Sequence, residues 1–384
     1  MNVQRVVAVA YKEWREIVRD RLFFSLAFVV PAVLMLLFGY GLSLDVENIP
    51  FAVVDYDHST QSRDYAYRFI DSRYFDFKGY VRDERELGSL LAQSRVRAAI
   101  VIPEHFGQRL QAGRGAQVQT LVDGTFPFRA LTTKGYVTAI NASANQETIA
   151  QLLARAKGVP VQTAREAVQP VRLEVRYLYN QSVKSIWSLA PKLLMVILMI
   201  SPPFLTALGV VREKESGSIF NIYSSTVTRG EFLCGKLAPY VAISALNILA
   251  LWLLATLLFA VPFKGGFLFF MAASLIYVIC TTGIGLMVSV LVRTQVAAMI
   301  VTAIVTVIPA VLYSGVLIPI PSLGPSAQAI AHLLPAMYYT NIVVGCFLKG
   351  VGLTALWPDV LVLAVYAAVL FTVGFTMFHK RPAS

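Results

Sequence analysis

Six stretches of the chain stay apolar for roughly the 20 residues that a hydrocarbon core demands. They fall near 22–44, 190–211, 237–262, 267–292, 295–318 and 357–378, and they predict six membrane-spanning helices. The first is not a cleaved leader. It begins late, runs long, and leads into GLSLDVEN with no small-residue cleavage site. Ahead of it, Val3, Val6, Val7, Ala10, Trp14, Ile17 and Val18 recur at helical spacing, with Gln4, Arg5, Lys12, Arg15 and Arg19 opposite. Residues 1–21 are therefore expected to form an amphipathic helix in the cytoplasmic interface, apolar side toward lipid and Trp14 among the headgroups.

Between the first two spans the pattern changes. In 45–189, FAVVD (51–55), AAIVI (98–102), VQTLVD (118–123) and VRLEVRYLY (171–179) read as strands. Polar segments near 60–71, 83–94, 103–112 and 128–157 read as helices. The expected fold class is an α-helical polytopic membrane protein, with six transmembrane helices and a large α/β extracytoplasmic domain inserted between the first and second. Spans two to six then occupy 190–378. Before the last span, the apolar stretch 318–350 is cut by Pro319, Pro321, Pro325 and Pro335. Its pieces are too short to cross, which predicts two short helices that dip in from the outer face and return. Such backbone needs cover from protein or a water-filled cavity.

Composition fits this reading. The 384 residues are 57% hydrophobic and 14% charged, with a mean hydropathy of +0.64, against about 25% charged in soluble domains. The net charge of +11 would suggest nucleic acid until it is placed along the chain. Short segments on one side hold twelve basic residues: Arg5, Lys12, Arg15, Arg19, Arg21, Arg212, Lys214, Arg229, Lys236, Arg293, Lys380 and Arg381. The other side holds Lys264 and Lys349, with Lys192 at the outer end of a span. Both termini, including the tail 379–384, are thus expected in the cytoplasm. The insert, with 18 basic and 15 acidic residues, lies outside because long loops translocate regardless of charge. The excess of base is a topology signal, and no nucleic-acid partner is implied.

Candidate chemistry is sparse. GEFLCGKL (230–237) approaches the phosphate-loop pattern G-x-x-x-x-G-K-[S/T], but Leu237 stands where the magnesium-binding hydroxyl belongs and a span follows at once. Asp55, Asp57 and Ser59 mimic the start of a calcium loop without its glycine or its closing glutamate. Cys234, Cys280 and Cys346 show no pairing pattern and no C-x-x-C. His58, His105, His332 and His379 have no ligand spacing. No metal or cofactor is expected in the chain. The spans hold no ionisable residue away from their ends, and Asn247 is the one strongly polar side chain at depth. Ion-coupled carriers place relays there, so the energy is expected to come from elsewhere.

VREKESGSIFNIYSSTVTRGEFLCGKLAPY (211–240) resembles the signature loop of the type-2 ATP-binding-cassette (ABC-2) exporter permeases. In that family an R-E-x-E-x-G-[S/T] stretch leaves the second span, and a short polar helix and a G-K lead into the third. The matching residues are Arg212, Glu213, Glu215, Gly217 and Ser218, then Gly235 and Lys236. Phe220 departs from the many members that carry a second glutamate there. The likeness continues in the interfacial helix, the large external domain and SGVLIPIPSLGPSAQAIAHLLPAMYY (314–339).

The resemblance implies the transmembrane permease subunit of an ATP-driven exporter in a bacterial inner membrane, moving a drug-like or lipid-like substrate outward. ATP and magnesium would be bound by a separate ABC ATPase subunit, so the permease itself would be no enzyme. A second permease, identical or a sister, would complete the pathway, with membrane lipids around it and a periplasmic membrane-fusion protein as a further partner. The loop 212–236 would be the ATPase-coupling element, with Ile219, Phe220, Ile222 and Tyr223 filling a groove on the ATPase and Lys236 anchoring at the headgroups. The hairpin 319–350, with Gly315, Pro319, Pro335 and Tyr338, would be the external gate. Two rivals stand beside it: a non-transporting receptor or envelope scaffold using 45–189 to bind a ligand or partner, and a proton-coupled carrier.

Overall fold

The computed structural model describes residues 2–42, 45–171, 173–218 and 227–377. They form two compact units, one of Asp45–Val175 and one of Met1–Leu44 with Arg176–Ser384. Phe220, Ile219, Ile222 and Tyr223 lie outside the described residues.

The larger unit opens with α1 (Val3–Arg19), capped by the Asn2 side chain, which accepts from the Gln4 N–H. Its apolar residues do not share one face. Ile17 is buried against the bundle and Val6 and Ala10 are half-buried, whereas Val3, Val7, Tyr11, Trp14 and Val18 form an exposed stripe. The expected single lipid-facing side is therefore divided between protein and surroundings. Asp20 ends α1 and caps α2 (Arg21–Gly41), accepting from the N–H groups of Leu22 and Phe23.

A π-turn at Ser25–Val29 interrupts α2, and Pro31 explains what surrounds it. Proline has no N–H, so neither Ala27, four residues back, nor Leu26, five back, can receive a bond from it. Two other helices supply the donors. Ser201 Oγ donates to the Leu26 carbonyl at 2.8 Å and Asn247 Nδ2 to the Ala27 carbonyl at 2.7 Å. The polar side chain that stands alone at depth thus satisfies a backbone acceptor that has no water to turn to.

The smaller unit is a four-stranded sheet with helices. In chain order it contains β1 (Ile49–Asp55), α3 (Thr60–Ile70), β2 (Phe75–Tyr80), α4 (Glu84–Ala92), β3 (Ala98–Ile102), α5 (Phe106–Gln111), β4 (Gln119–Val122), α6 (Pro127–Lys157) and α7 (Val161–Val168). The strand order is β2-β1-β3-β4, with β1 parallel to both neighbours and β3 antiparallel to β4. Successive side chains alternate between faces. Phe51 and Val53 pack with Phe69, Phe75 and Ile100 on one side, Ala52 and Val54 with Leu87 and Val101 on the other. Two expectations fail here. FDFKGY forms β2 although it reads as no strand, and no described residue of 171–179 is in a strand. Leu173 and Val175 are instead exposed. Alternation supplies a face, but a strand also needs a neighbouring edge to bond to.

The larger unit resumes with α8 (Ser185–Glu215), α9 (Arg229–Leu258), α10 (Phe267–Leu291) and α11 (Gln295–Tyr313). A short 3₁₀ turn (Ile320–Ser322), α12 (Pro325–His332), α13 (Pro335–Lys349) and α14 (Leu353–Met377) follow. Among the described residues, six helices are long and apolar enough to cross a membrane: α2, α8, α9, α10, α11 and α14. The helix α8 is the centre of the unit, 89% of its apolar window being buried against 11–56% for the other five. The pair α12 and α13 bends by 83° at Leu333–Leu334, the broken shape that the prolines predict.

Candidate functional site

The four charged residues that close α8 each reach a different partner. Arg212 Nη1 donates to Asp20 Oδ2 at 2.7 Å, tying the end of α8 to the α1–α2 junction. Glu213 Oε1 accepts from Lys12 of α1 at 2.7 Å and faces Lys236 of α9 at 3.2 Å. Lys214 Nζ donates to the Ser289 carbonyl in the last turn of α10 at 2.5 Å. Glu215 Oε2 accepts from both the backbone and side-chain nitrogens of Gln295, at the start of α11, at 3.0 Å each. One turn of helix thus joins five others. Gly217, at φ 73°, then takes the left-handed region that only a residue without Cβ enters freely. The Ser216 and Ser218 hydroxyls meet at 3.0 Å.

The interior of this hub is ionic. Lys236 is fully buried, and its ammonium donates to Glu13 Oε2 at 2.8 Å. The Tyr240 hydroxyl donates to Glu13 Oε1. Glu13 and Glu213 are 3% and 4% exposed, and Glu213 Oε2 is buried with no hydrogen-bond partner among the described residues. Burying charges is costly, but removing one member of a buried pair costs more, about 3–5 kcal/mol, because the survivor is stranded. Lys12, half-exposed, loses affinity for its proton through burial, yet the bond and charge of Glu213 outweigh this and raise its pKa. Carboxylate oxygens of Glu13, Glu16 and Glu213 lie within 4.8 Å of one another, as a metal site would need. Two ammonium groups already sit on them, so the donor set is matched to lysine.

Lys236 is therefore not a headgroup anchor, as its position beside a span suggested, but half of a buried ion pair. Gly235 has an equally specific reason. A Cβ there would come within 2.7 Å of the Val6 carbonyl and 2.8 Å of Val9 Cβ, so the missing side chain is what lets α1 lie on α9. The Thr228–Glu231 capping box starts α9, and Glu231 Oε1 also accepts the Asn2 N–H at 2.6 Å. GEFLCGKL is accordingly helical throughout, not a phosphate-cradling loop. The other motif candidates are likewise occupied by local structure. Asp55 accepts from the N–H groups of Asp57 and His58 and from Ser62 Oγ, and Asp57 accepts from the Gly107 N–H.

The hairpin residues sit apart from the hub. The Gly315 carbonyl accepts from Lys192 Nζ at 3.0 Å, and both line a cavity of about 470 Å³ with Pro319, Thr340 and Asp359. Pro335 is buried at the start of α13, and the Tyr338 hydroxyl donates to the His332 carbonyl at 2.9 Å across the bend. Behind them Tyr277 and Tyr339 stack with ring centres 4.0 Å apart, and Tyr339 donates to Ser274 at 2.7 Å. Sequence reasoning missed Glu13, Lys12, Asp20, Tyr240 and Gln295. The one signal available was a carboxylate at position 13 among the apolar positions of an amphipathic helix.

Residues 21–376 match the family model described as "ABC-2 family transporter protein". The chain belongs to the ABC-2 family of transporter proteins. It is similar to the probable multidrug ABC transporter permease YbhS of Escherichia coli K12, at 30% identity over 99% of this chain and 98% of that one. It is 24% identical to the probable multidrug ABC transporter permease YbhR, over 98% of this chain and 99% of the relative. The inner membrane transport permease YhhJ is also 24% identical, over 86% and 85%. The chain is thus the transmembrane permease subunit of an ABC exporter, and the receptor or scaffold reading is not favoured. In this permease the family's R-E-x-E-x-G-[S/T] residues are those of the hub.

Proposed function

We propose that the permease exports a hydrophobic or amphipathic, drug-like substrate across a bacterial inner membrane, with ATP and magnesium bound by a separate ATPase subunit docking on the loop after Gly217. The relatives' description as multidrug permeases supports the cargo class. The hub supports the coupling. A push on the loop enters α8 at the one turn bonded to α1, α9, α10, α11 and the α1–α2 junction, so it reorients these elements together. The basic bias of the short segments supports cytoplasmic termini and an extracytoplasmic domain at 45–189. A second permease would close the substrate path, the hairpin around Gly315, Pro319, Pro335 and Tyr338 would be the exit gate, and a periplasmic membrane-fusion protein would meet the external unit.

The test is reconstitution of the permease with its ATPase in vesicles. ATP-dependent movement of an amphipathic dye is expected, together with hydrolysis that the dye stimulates. Phe220→Ala should abolish both while leaving the permease folded, whereas normal coupled export in that variant would remove the loop from the mechanism. Topology is read separately. With the native cysteines replaced, a cysteine at Asn145 should react with an impermeant reagent from outside and one at Ser216 only after the inner face is opened.

A further inference from the structure

Beside the hub, between the polar flank of α1 and the end of α8, lies a cavity of about 480 Å³, within the range of small-ligand sites. Lys12, Arg15, Arg19 and Arg212 line it, with Tyr11 at its edge. Its two carboxylates are engaged: Glu16 faces Lys12 at 3.5 Å, and Asp20 holds Arg212 while capping α2. Lys12 is also bonded to Glu213 of the hub at 2.7 Å, so four cations stand against three carboxylates and the excess positive charge rests on Arg15 and Arg19. Arg15 rests over the Tyr11 ring at 5.8 Å, and Arg19 has no carboxylate partner among the described residues. Arginine presents a planar fork of donors suited to phosphate oxygens. A soluble anion would need only this charge, but the neighbouring surface of α1 is apolar. Val3, Val7, Tyr11, Trp14 and Val18 stand exposed one turn apart along the helix. Cationic cavity and apolar stripe share the Tyr11 edge, which is the layout of a ligand with an anionic head and hydrocarbon tails.

We propose that this cavity binds the phosphate of an anionic phospholipid, with Arg15 and Arg19 as the principal donors and the Val3–Val18 stripe against the acyl chains. The site rests on the chain being membrane-embedded and not on the direction or cargo of transport. A bound lipid would brace α1, and α1 carries Glu13 and Lys12 of the hub, so the site would make coupling sensitive to lipid composition.

Native mass spectrometry of the full-length permease, purified in detergent and titrated with phosphatidylglycerol or phosphatidylcholine, tests this. One phosphatidylglycerol should bind tightly and phosphatidylcholine should not compete. Each basic side chain near such a lipid is worth roughly fivefold, so Arg15→Gln with Arg19→Gln should weaken that single event about thirtyfold. Arg293→Gln, a control outside the cavity, should leave it unchanged. Both arginines are exposed, so folding of the double variant is expected and is checked by its elution profile. Equal retention by the double variant and the wild type would overturn the proposal. Displacement of the lipid by millimolar inorganic phosphate would make this a free-anion site instead. Loss in the double variant of binding to the ATPase subunit in lipid-free detergent, with phosphatidylglycerol retained, would make it a protein interface.

Discussion

The two ends of α8 are held by different physics. At the Glu215 end, four successive charged side chains fan out to five elements around a buried Glu13–Lys236–Glu213 core. At the Ser185 end, the contacts are stacked tyrosines, proline-started helices and a lysine on a backbone carbonyl. Ionic contacts have sharp distance and geometry, and they fail abruptly when one partner goes. Aromatic contacts slide, losing energy by degrees. On the proposed reading, a node that would pass a displacement to several helices at once suits the first kind, and a gate that would open and close suits the second.

The largest test of this contrast is Lys236→Ala. It strands Glu13 and Glu213 and should destabilise the purified permease by about 3–5 kcal/mol. Glu13→Gln combined with Lys236→Met should recover most of that in denaturation measured in detergent. A single mutant as stable as wild type would mean that the hub is not an energetic node. Gly235→Val comes next, at about 1–3 kcal/mol. Its new side chain must push the Val6–Val9 stretch of α1 off α9, and cross-links between those helices should be lost with it.

At the other end, Tyr339→Phe removes only the hydroxyl bond to Ser274 and keeps the stacked ring. A loss of about 1 kcal/mol is expected, with dye transport slowed and not abolished; a loss as large as that of Lys236→Ala would erase the distinction between the ends. The smallest effect concerns pH. Burial pushes the Asp20 carboxyl up, but the Leu22 and Phe23 N–H groups and Arg212 outweigh it and hold its pKa below the ordinary 3.8. The stability it contributes is thus fully present above 3.8 and disappears as the pH falls through the lower folded value. Asp20→Asn should remove that part of the acid dependence while leaving stability at neutral pH within about 1 kcal/mol.

The spans were legible because length and hydropathy alone decide them, and the bend at Leu333–Leu334 because Pro335, which offers no N–H, is suited to the first turn of a new helix. The second strand was not, since FDFKGY is an edge strand with one exposed face and its register comes from β1. The loop motif pointed to the right turn of α8 but not to what its residues do. Glu213 reads as a surface carboxylate beside Arg212 and Lys214, yet it pairs with neither. The nearer carboxylate partner of Lys236, Glu13, lies 223 positions away. No local pattern carries a bond of that length; only the packing of α1 on α9, permitted by Gly235, creates it.

Pro31 sets an order on the making of the protein. The carbonyls of Leu26 and Ala27 enter the bilayer with the first span, early in translation, when their donors do not yet exist. Ser201 is synthesised 175 residues after Leu26, and Asn247 220 residues after Ala27. Until the second span has emerged the first carries two open acceptors in hydrocarbon, and until the third has emerged it still carries one, the Ala27 carbonyl. A chain released after the second span would still lack Asn247 and would keep the Ala27 carbonyl open.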